Sequence, residues 1–203
     1  MSHNHAKNLV SPDQAKQKLV DGNHRFVNEN YGAKDLSSNR RMTLLKEGQF
    51  PFAAVLTCSD SRVPPEILFD QALGDIFVIR TAGNVLDDVS MGSVEYAVDH
   101  LHTPLVVVLG HENCGAVIAT VEGGDPPGSI GAITAMIAPS VQKVQSMGIA
   151  GKELCEMAAD VNVGATLSDL RTSPVIKEKI DKGEVALVGA KYLLSSGEVV
   201  FFE

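Results

Sequence analysis

The sequence contains no tryptophan, only three tyrosines and three cysteines, and no long apolar run. Its apolar runs fall well short of the ~20 residues that a membrane-spanning helix needs, so we expect no membrane partner. Acidic residues outnumber Lys and Arg by 25 to 17, which gives a net charge of -8. An acidic chain without a basic run gives no electrostatic reason to expect a nucleic-acid partner. The N-terminus lacks the apolar core of a signal peptide, which predicts a cytoplasmic protein, although a leader already removed would leave the same pattern.

The three cysteines cannot all pair with one another, and each lies in a different setting. Cys155 lies in a segment with a helical pattern and is interpreted as a small buried apolar residue. Cys58 and Cys114 lie in the segments TCSDSR and GHENCG. A disulfide between these two is one interpretation. The histidine three residues before Cys114 favours a metal site instead.

The chain has 203 residues and a hydrophobic content of 44%, which are suited to a single domain with its own core. We predict one domain over residues 1–203, divided into an N-terminal helical arm at 1–48 and an α/β core at 49–203 that carries the predicted metal site. Within the arm, Ser11 and Pro12 mark the start of a helix, and apolar residues follow at helical spacing.

Short apolar runs alternate with helical patterns over the rest of the chain. Strands are predicted at 52–57, 75–80, 105–110, 185–194 and 198–202. Continuously apolar strands separated by helices are typical of a mostly parallel sheet that is covered on both faces. The segment SSG before the last strand is a turn signal and predicts an antiparallel return. The predicted fold class is α/β, with four parallel strands plus a C-terminal antiparallel strand, flanked by helices.

Functional side chains follow the predicted strands. The first strand leads into Cys58, the second ends at Arg80, and the third leads into His111. Ligands of open parallel sheets bind beyond the carboxyl ends of the strands, so we expect these side chains to converge at one edge. His111 and Cys114 are three residues apart and can bind one ion together, with Cys58 as the third ligand. Thiolate and imidazole ligands favour zinc, and three protein ligands with an open fourth position are typical of catalytic zinc.

Asp60 and Arg62 follow Cys58 in the segment SDSR and can pair within a turn. A bidentate arginine fixes the direction of a carboxylate and keeps it ionised. The carboxylate of Asp60 could then accept a hydrogen bond from metal-bound water, or it could become the fourth zinc ligand and close the site. A surface salt bridge without a catalytic role is the alternative interpretation.

Longer segments carry a family resemblance. CSDSRVPPEILFDQALGDIFVIRTAGN, GSVEYAVDHL and VVVLGHENCGAV resemble, in the same order, the signature segments of the β-carbonic anhydrase family. LVDGNHRFV and VGAKYLLSSGEVVFF resemble its N-terminal helix and its closing strand pair. The likeness therefore covers nearly the whole chain, and C-x-D-x-R followed by H-x-x-C is more specific than either motif alone.

The resemblance implies one zinc ion per chain, held by Cys58, His111 and Cys114, with Asp60 and Arg62 as the catalytic pair. It also implies a narrow substrate cleft that is shared across a dimer interface. The positions that match this cleft are Gln49, Phe77 and Tyr96. In this interpretation the glutamine donates a hydrogen bond to bicarbonate, and the two aromatic rings form the apolar wall for carbon dioxide. Judged by spacing alone, both aromatic residues are interpreted as ordinary core and helix packing.

The expected activity is the reversible hydration of carbon dioxide to bicarbonate and a proton by a zinc-bound hydroxide, in a homodimer or homotetramer. Two thiolate ligands weaken the acidification of the bound water, so activity is expected to rise from neutral to alkaline pH. A bicarbonate-regulated subgroup of the family carries a tryptophan where this chain has Val55, which argues against the inhibitory pocket of that subgroup.

Three alternatives remain open at this point. Hydrolysis of carbonyl sulfide or carbon disulfide would use the same site chemistry. A structural or redox-sensing zinc site would have four ligands and no hydration activity. A cysteine hydrolase would use Cys58 and His111, would leave Cys114 without a role, and would stay active after chelation.

Overall fold

The computed structural model describes residues 10–202. Its strands are β1 (Ala53–Cys58), β2 (Ile76–Thr81), β3 (Leu105–His111), β4 (Ala186–Tyr192) and β5 (Val199–Phe201). They form one sheet in the order β2-β1-β3-β4-β5. The first four strands are parallel, and β5 pairs with β4 in the antiparallel sense. The predicted fold class is confirmed.

Helices flank this sheet. They are α1 (Pro12–Val27), α2 (Ser38–Glu47), α3 (Pro65–Leu68), α4 (Asp88–Glu95), α5 (Gly115–Glu122), α6 (Ile130–Gln145), α7 (Gly151–Leu170) and α8 (Pro174–Asp181). The side chain of Asp87 caps the start of α4, and after Glu95 this helix continues as a π-helical turn. Within residues 10–202, none of the helices combines the length and the apolar character needed to cross a bilayer.

Helix α1 covers one face of the sheet of its own chain. The side chain of Ser11 accepts a hydrogen bond from the backbone N–H of Gln14, and the side chain of Gln14 accepts one from the N–H of Ser11. This reciprocal cap fixes the start of the helix that the sequence predicted. Ala15 and Leu19 are fully buried in the same apolar cluster as Val55 of β1. The arm therefore packs on the body of its own chain, while the single-domain boundaries stay a prediction.

The central strands β1 and β3 are buried along their whole length. Alternate residues point to opposite faces, so Val55 and Val107 belong to one apolar cluster and Leu56 and Val108 to another. Burying each such side chain contributes roughly 1.5–3 kcal/mol to the free energy of unfolding. The two strands form a rigid base, and the functional side chains stand at their carboxyl ends.

Cys155 is partly exposed, so its interpretation as a buried residue is wrong. Its neighbour Leu154 and the later residue Ala158 are the buried positions on this part of α7. Successive residues of an α-helix are rotated by about 100° around its axis, which turns Cys155 away from the face that Leu154 buries.

Candidate metal centre

Three ligand atoms converge beyond the carboxyl ends of β1 and β3. Cys58 is the last residue of β1, His111 is the last residue of β3, and Cys114 caps the start of α5. One ligand atom from each lies within 4.8 Å of the other two, and all three residues are buried. Because β1 and β3 are parallel neighbours, their ends meet at the same edge of the sheet. The predicted convergence is confirmed, and the cysteines of this group are free thiols.

The ring of His111 is oriented by its own backbone neighbour. Its Nδ1 lies 2.8 Å from the carbonyl oxygen of Glu112, which can only accept a hydrogen bond. This assigns the ring hydrogen to Nδ1 and leaves a lone pair on Nε2. That Nε2 atom is buried and has no hydrogen-bond partner in the protein. A buried polar atom without a partner costs roughly 1–3 kcal/mol, so the donor set of two sulfurs and one free ring nitrogen fits a bound metal ion.

Backbone N–H groups surround the sulfur of Cys58. Gly83 donates to Sγ at 3.2 Å, and Asp60 donates at 3.4 Å. A hydrogen bond with Cys114 lowers the pKa of Cys58 most strongly, and it outweighs desolvation, which raises it. The same contact raises the pKa of the Cys114 thiol. Because zinc binds thiolates, an ion at this site would displace the protons of both cysteines.

Gly83 is a residue of the site that the sequence motifs did not reveal. Its φ is +68°, and an added Cβ would lie 2.6 Å from Cδ1 of Ile137 and 3.0 Å from Cβ of Ala116. The side-chain amide of Asn162 donates to the carbonyl oxygen of Gly83 at 2.8 Å. A glycine two residues after a strand, near the carboxyl end that the ligands share, is the signal that could have revealed this close approach.

Asp60 and Arg62 form the pair that their spacing suggested. Arg62 donates from Nε to Oδ1 at 2.9 Å and from Nη2 to Oδ2 at 2.7 Å. The backbone N–H of Arg62 also donates to Oδ1 at 2.9 Å. These hydrogen bonds, the strongest of them from the Arg62 side chain, lower the pKa of Asp60 to about 2 against the opposing effect of burial. Asp60 is therefore an ionised, oriented carboxylate two residues from the metal group.

Arg80 supports the backbone of this loop. Its Nε donates to the carbonyl oxygen of Cys58 at 3.0 Å, and its Nη2 donates to that of Asp60 at 2.5 Å. The sequence placed Arg80 at the end of the second strand; β2 extends one residue further, to Thr81. Two hydrogen bonds from one guanidinium fix the direction in which the chain leaves β1.

The three cleft positions lie toward the amino ends of the parallel strands, whereas the metal group lies at their carboxyl ends. Phe77 pairs with Ala54, whereas Thr81 pairs with Cys58, so Phe77 lies four strand residues, or about 13 Å, before the metal edge. The rings of Phe77 and Tyr96 are 6.2 Å apart. Tyr96 in turn lines a surface cavity together with Gln49. The structure thus groups these three residues with one another but separates them from the metal group of the same chain.

Known proteins resemble this chain over most of its length. Residues 53–199 match the family model described as carbonic anhydrase. The chain is 42% identical to a carbonic anhydrase of Mycolicibacterium smegmatis, over 93% of this chain and 92% of the relative. It is 40% identical to carbonic anhydrase 2 of Mycobacterium tuberculosis, over 94% and 93% of the two chains.

Solved structures give the same result. A β-carbonic anhydrase of Sordaria macrospora, one of two described as tetrameric, matches with a TM-score of 0.76 and 26% identity, over 81% of this chain and 87% of the other. The Coccomyxa β-carbonic anhydrase, solved with acetazolamide, matches with a TM-score of 0.72 and 26% identity, over 91% and 84%. The chain belongs to the β-carbonic anhydrase family.

Proposed function

We propose that this carbonic anhydrase catalyses the reversible hydration of carbon dioxide to bicarbonate and a proton, with one zinc ion per chain held by Cys58, His111 and Cys114. The observation that carries the proposal is the convergence of three buried ligand atoms within 4.8 Å. Two thiolates and one imidazole suit zinc, and three protein ligands leave a fourth position open. Zinc bound there supplies Lewis acidity, which lowers the pKa of a water molecule and provides a hydroxide nucleophile near neutral pH.

In this proposal Asp60 orients the nucleophile. A carboxylate held by Arg62 is a fixed hydrogen-bond acceptor, so it can accept a hydrogen bond from the attacking oxygen nucleophile and direct a lone pair of that oxygen toward the carbon of the substrate. The alternative role for Asp60, as a fourth zinc ligand, would require its carboxylate to leave both side-chain hydrogen bonds from Arg62. The pairing therefore favours the orienting role.

Gln49, Phe77 and Tyr96 are proposed to serve the site of a second copy of the chain. They are too far along the sheet to reach the metal group of their own chain, as the pairing of Phe77 with Ala54 indicates. Tyr96 is 46% exposed although it is a large aromatic residue, which suits a contact with a partner. The glutamine amide would donate to a bicarbonate oxygen, and the rings would form a wall for carbon dioxide.

We infer self-association as a homodimer or, as described for the Sordaria enzymes, a homotetramer. The cytoplasmic location stays a prediction.

The test measures metal content and stopped-flow hydration of carbon dioxide on one preparation. We expect one zinc ion per chain, and activity that chelation abolishes and added zinc restores. Cys58→Ser and Cys114→Ser should lose zinc and activity together, whereas Cys155→Ser, which removes the partly exposed thiol, should keep both. Hydrolysis of carbonyl sulfide is measured in parallel, and turnover of that compound without hydration of carbon dioxide would overturn the proposal.

A further inference from the structure

Lys191 lies at the metal edge of the sheet, yet the proposed reaction gives it no role. It is the β4 residue that pairs with Gly110, directly before His111. Only 9% of its surface is exposed, which is rare for a lysine. Its ammonium group donates to the backbone carbonyl of Glu156 at 3.2 Å and lies 2.9 Å from the Glu156 carboxylate. Asp160, one turn later on α7, adds an ion pair at 3.0 Å.

The other carboxylate oxygen of Glu156 binds the loop between His111 and Cys114, which we call the ligand loop. Its Oε1 accepts a hydrogen bond from the backbone N–H of Asn113 at 3.0 Å. Asn113 lies between the ligands His111 and Cys114 and has a φ of +50°. The left-handed region is adopted mainly by glycine and less readily by asparagine, so contacts from the surroundings help to hold this bend. This bend is what allows two ligands three residues apart to face one ion.

The same peptide segment is held from its other side. Arg62, which already pairs with Asp60, reaches the carbonyl oxygen of Asn113 with Nη2 at 3.5 Å. Asn113 therefore connects the pair of buried Lys191 and half-buried Glu156 to the Asp60–Arg62 pair. Two hydrogen bonds make this connection: the N–H of Asn113 donates to Glu156, and Arg62 donates to the carbonyl oxygen of Asn113.

We propose that Glu156, held by Lys191, is a positioning residue that fixes the peptide of Asn113 and thereby the geometry of His111 and Cys114. This inference rests on the proposed zinc function. Glu156 touches neither substrate nor metal, and it acts through the loop. Groups that orient metal ligands in this way typically account for about 10- to 100-fold in metal affinity or activity.

Two variants of similar shape isolate the hydrogen bond. Glu156→Gln and Glu156→Met both remove the charge that faces Lys191, but only the glutamine keeps an oxygen that can accept the N–H of Asn113. Glu153→Gln, at an exposed position one turn earlier on α7, controls for the loss of an acidic residue from this helix. Glu156→Ala replaces the methionine variant should that one fail to fold.

The readouts are the rate at which the zinc-loaded protein loses its metal to excess chelator, and the separate values of kcat and KM. We expect Glu156→Met to lose zinc about 10- to 100-fold faster than wild type, with kcat reduced more than KM is changed. Glu156→Gln should restore most of the metal retention, and Glu153→Gln should match wild type. Equal zinc loss from the glutamine and methionine variants, or wild-type behaviour of both, would overturn the positioning role. A wild-type protein that binds no zinc would instead refute the proposed function itself.

Discussion

Arg62 donates hydrogen bonds of 2.9 and 2.7 Å to the two carboxylate oxygens of Asp60, two residues before it in the chain. Asp60→Asn keeps the size of the side chain but removes its charge and one acceptor oxygen. We expect the zinc content to stay at the wild-type level while the hydration rate falls by about 100-fold, the scale of one lost preorganised hydrogen bond in an active site. Stopped-flow assays with metal analysis check this, and Asp169→Asn on the exposed side of α7 is the control. A fully active Asp60→Asn enzyme would refute the assignment.

The pH dependence of the reaction should come from a group other than Asp60. Arg62 lowers the pKa of Asp60 to about 2, so this carboxylate is already ionised throughout the neutral range. We expect kcat to rise from about pH 6 to about pH 9 as the metal-activated water loses its proton. The residual activity of Asp60→Asn should keep that rise. A rate that does not change with pH in the wild-type enzyme would contradict the proposed nucleophile.

Asp60 should also contribute to stability in a defined pH range. Its pKa is lower in the folded protein than the value of about 3.9 expected in the unfolded chain, so the carboxylate stabilises the fold above that value. The contribution is lost as the pH falls through the folded value of about 2. Urea unfolding of metal-free wild type and Asp60→Asn should therefore differ most above about pH 4 and converge at lower pH. If the difference in the free energy of unfolding between the two proteins grew on acidification, Asp60 would not stabilise the fold in its ionised form.

Mixed dimers test whether the cleft is shared. One parent carries Cys58→Ser and cannot hold zinc, and the other carries Gln49→Ala with Tyr96→Ala and lacks cleft residues. Each parent alone should have little activity. After the two are mixed, the zinc site of the second parent meets an intact cleft from the first, so activity should reappear. If all cleft residues served their own chain, mixing would restore nothing.

Gly83→Ala should reduce stability and metal retention together. The added Cβ would lie 2.6 Å from Cδ1 of Ile137 on a residue with a φ of +68°. Backbone strain and overpacking should together lower the free energy of unfolding by about 2–4 kcal/mol. Displacement of the Gly83 N–H from Cys58 should also speed zinc loss. Gly92→Ala on α4, where an added Cβ meets nothing within 4 Å, is the control and should be neutral or stabilising.

The sheet and the metal group could be predicted from the sequence because both follow local patterns. Continuous apolar runs revealed the buried strands, and the rule that ligands bind beyond the carboxyl ends of parallel strands predicted that Cys58 and His111 lie close together. The capped start of α1 was readable from Ser11 and Pro12 for the same reason, since the signal lies within a few residues.

Contacts between distant segments could not be predicted in this way. The hydrogen bond that the N–H of Asn113 donates to Glu156 joins α7 to a loop that precedes it by many residues, and neither segment carries a pattern that indicates the other. Exposure of Cys155 depends on how α7 is rotated against its neighbours, which helical periodicity describes only approximately. The placement of Phe77 and Tyr96 far from the metal edge depends on strand register, which single-strand patterns leave open.

The ligands of the proposed ion come from separate segments: Cys58 is the last residue of β1, His111 is the last residue of β3, and Cys114 lies at the start of α5. An ion bound there would cross-link the ends of β1 and β3, which are otherwise joined by the pairing of these two strands in the sheet. Each tenfold rise in free zinc above its dissociation constant then adds about 1.4 kcal/mol to the unfolding free energy. The supply of metal would set not only how fast this enzyme works but also how long each molecule stays folded.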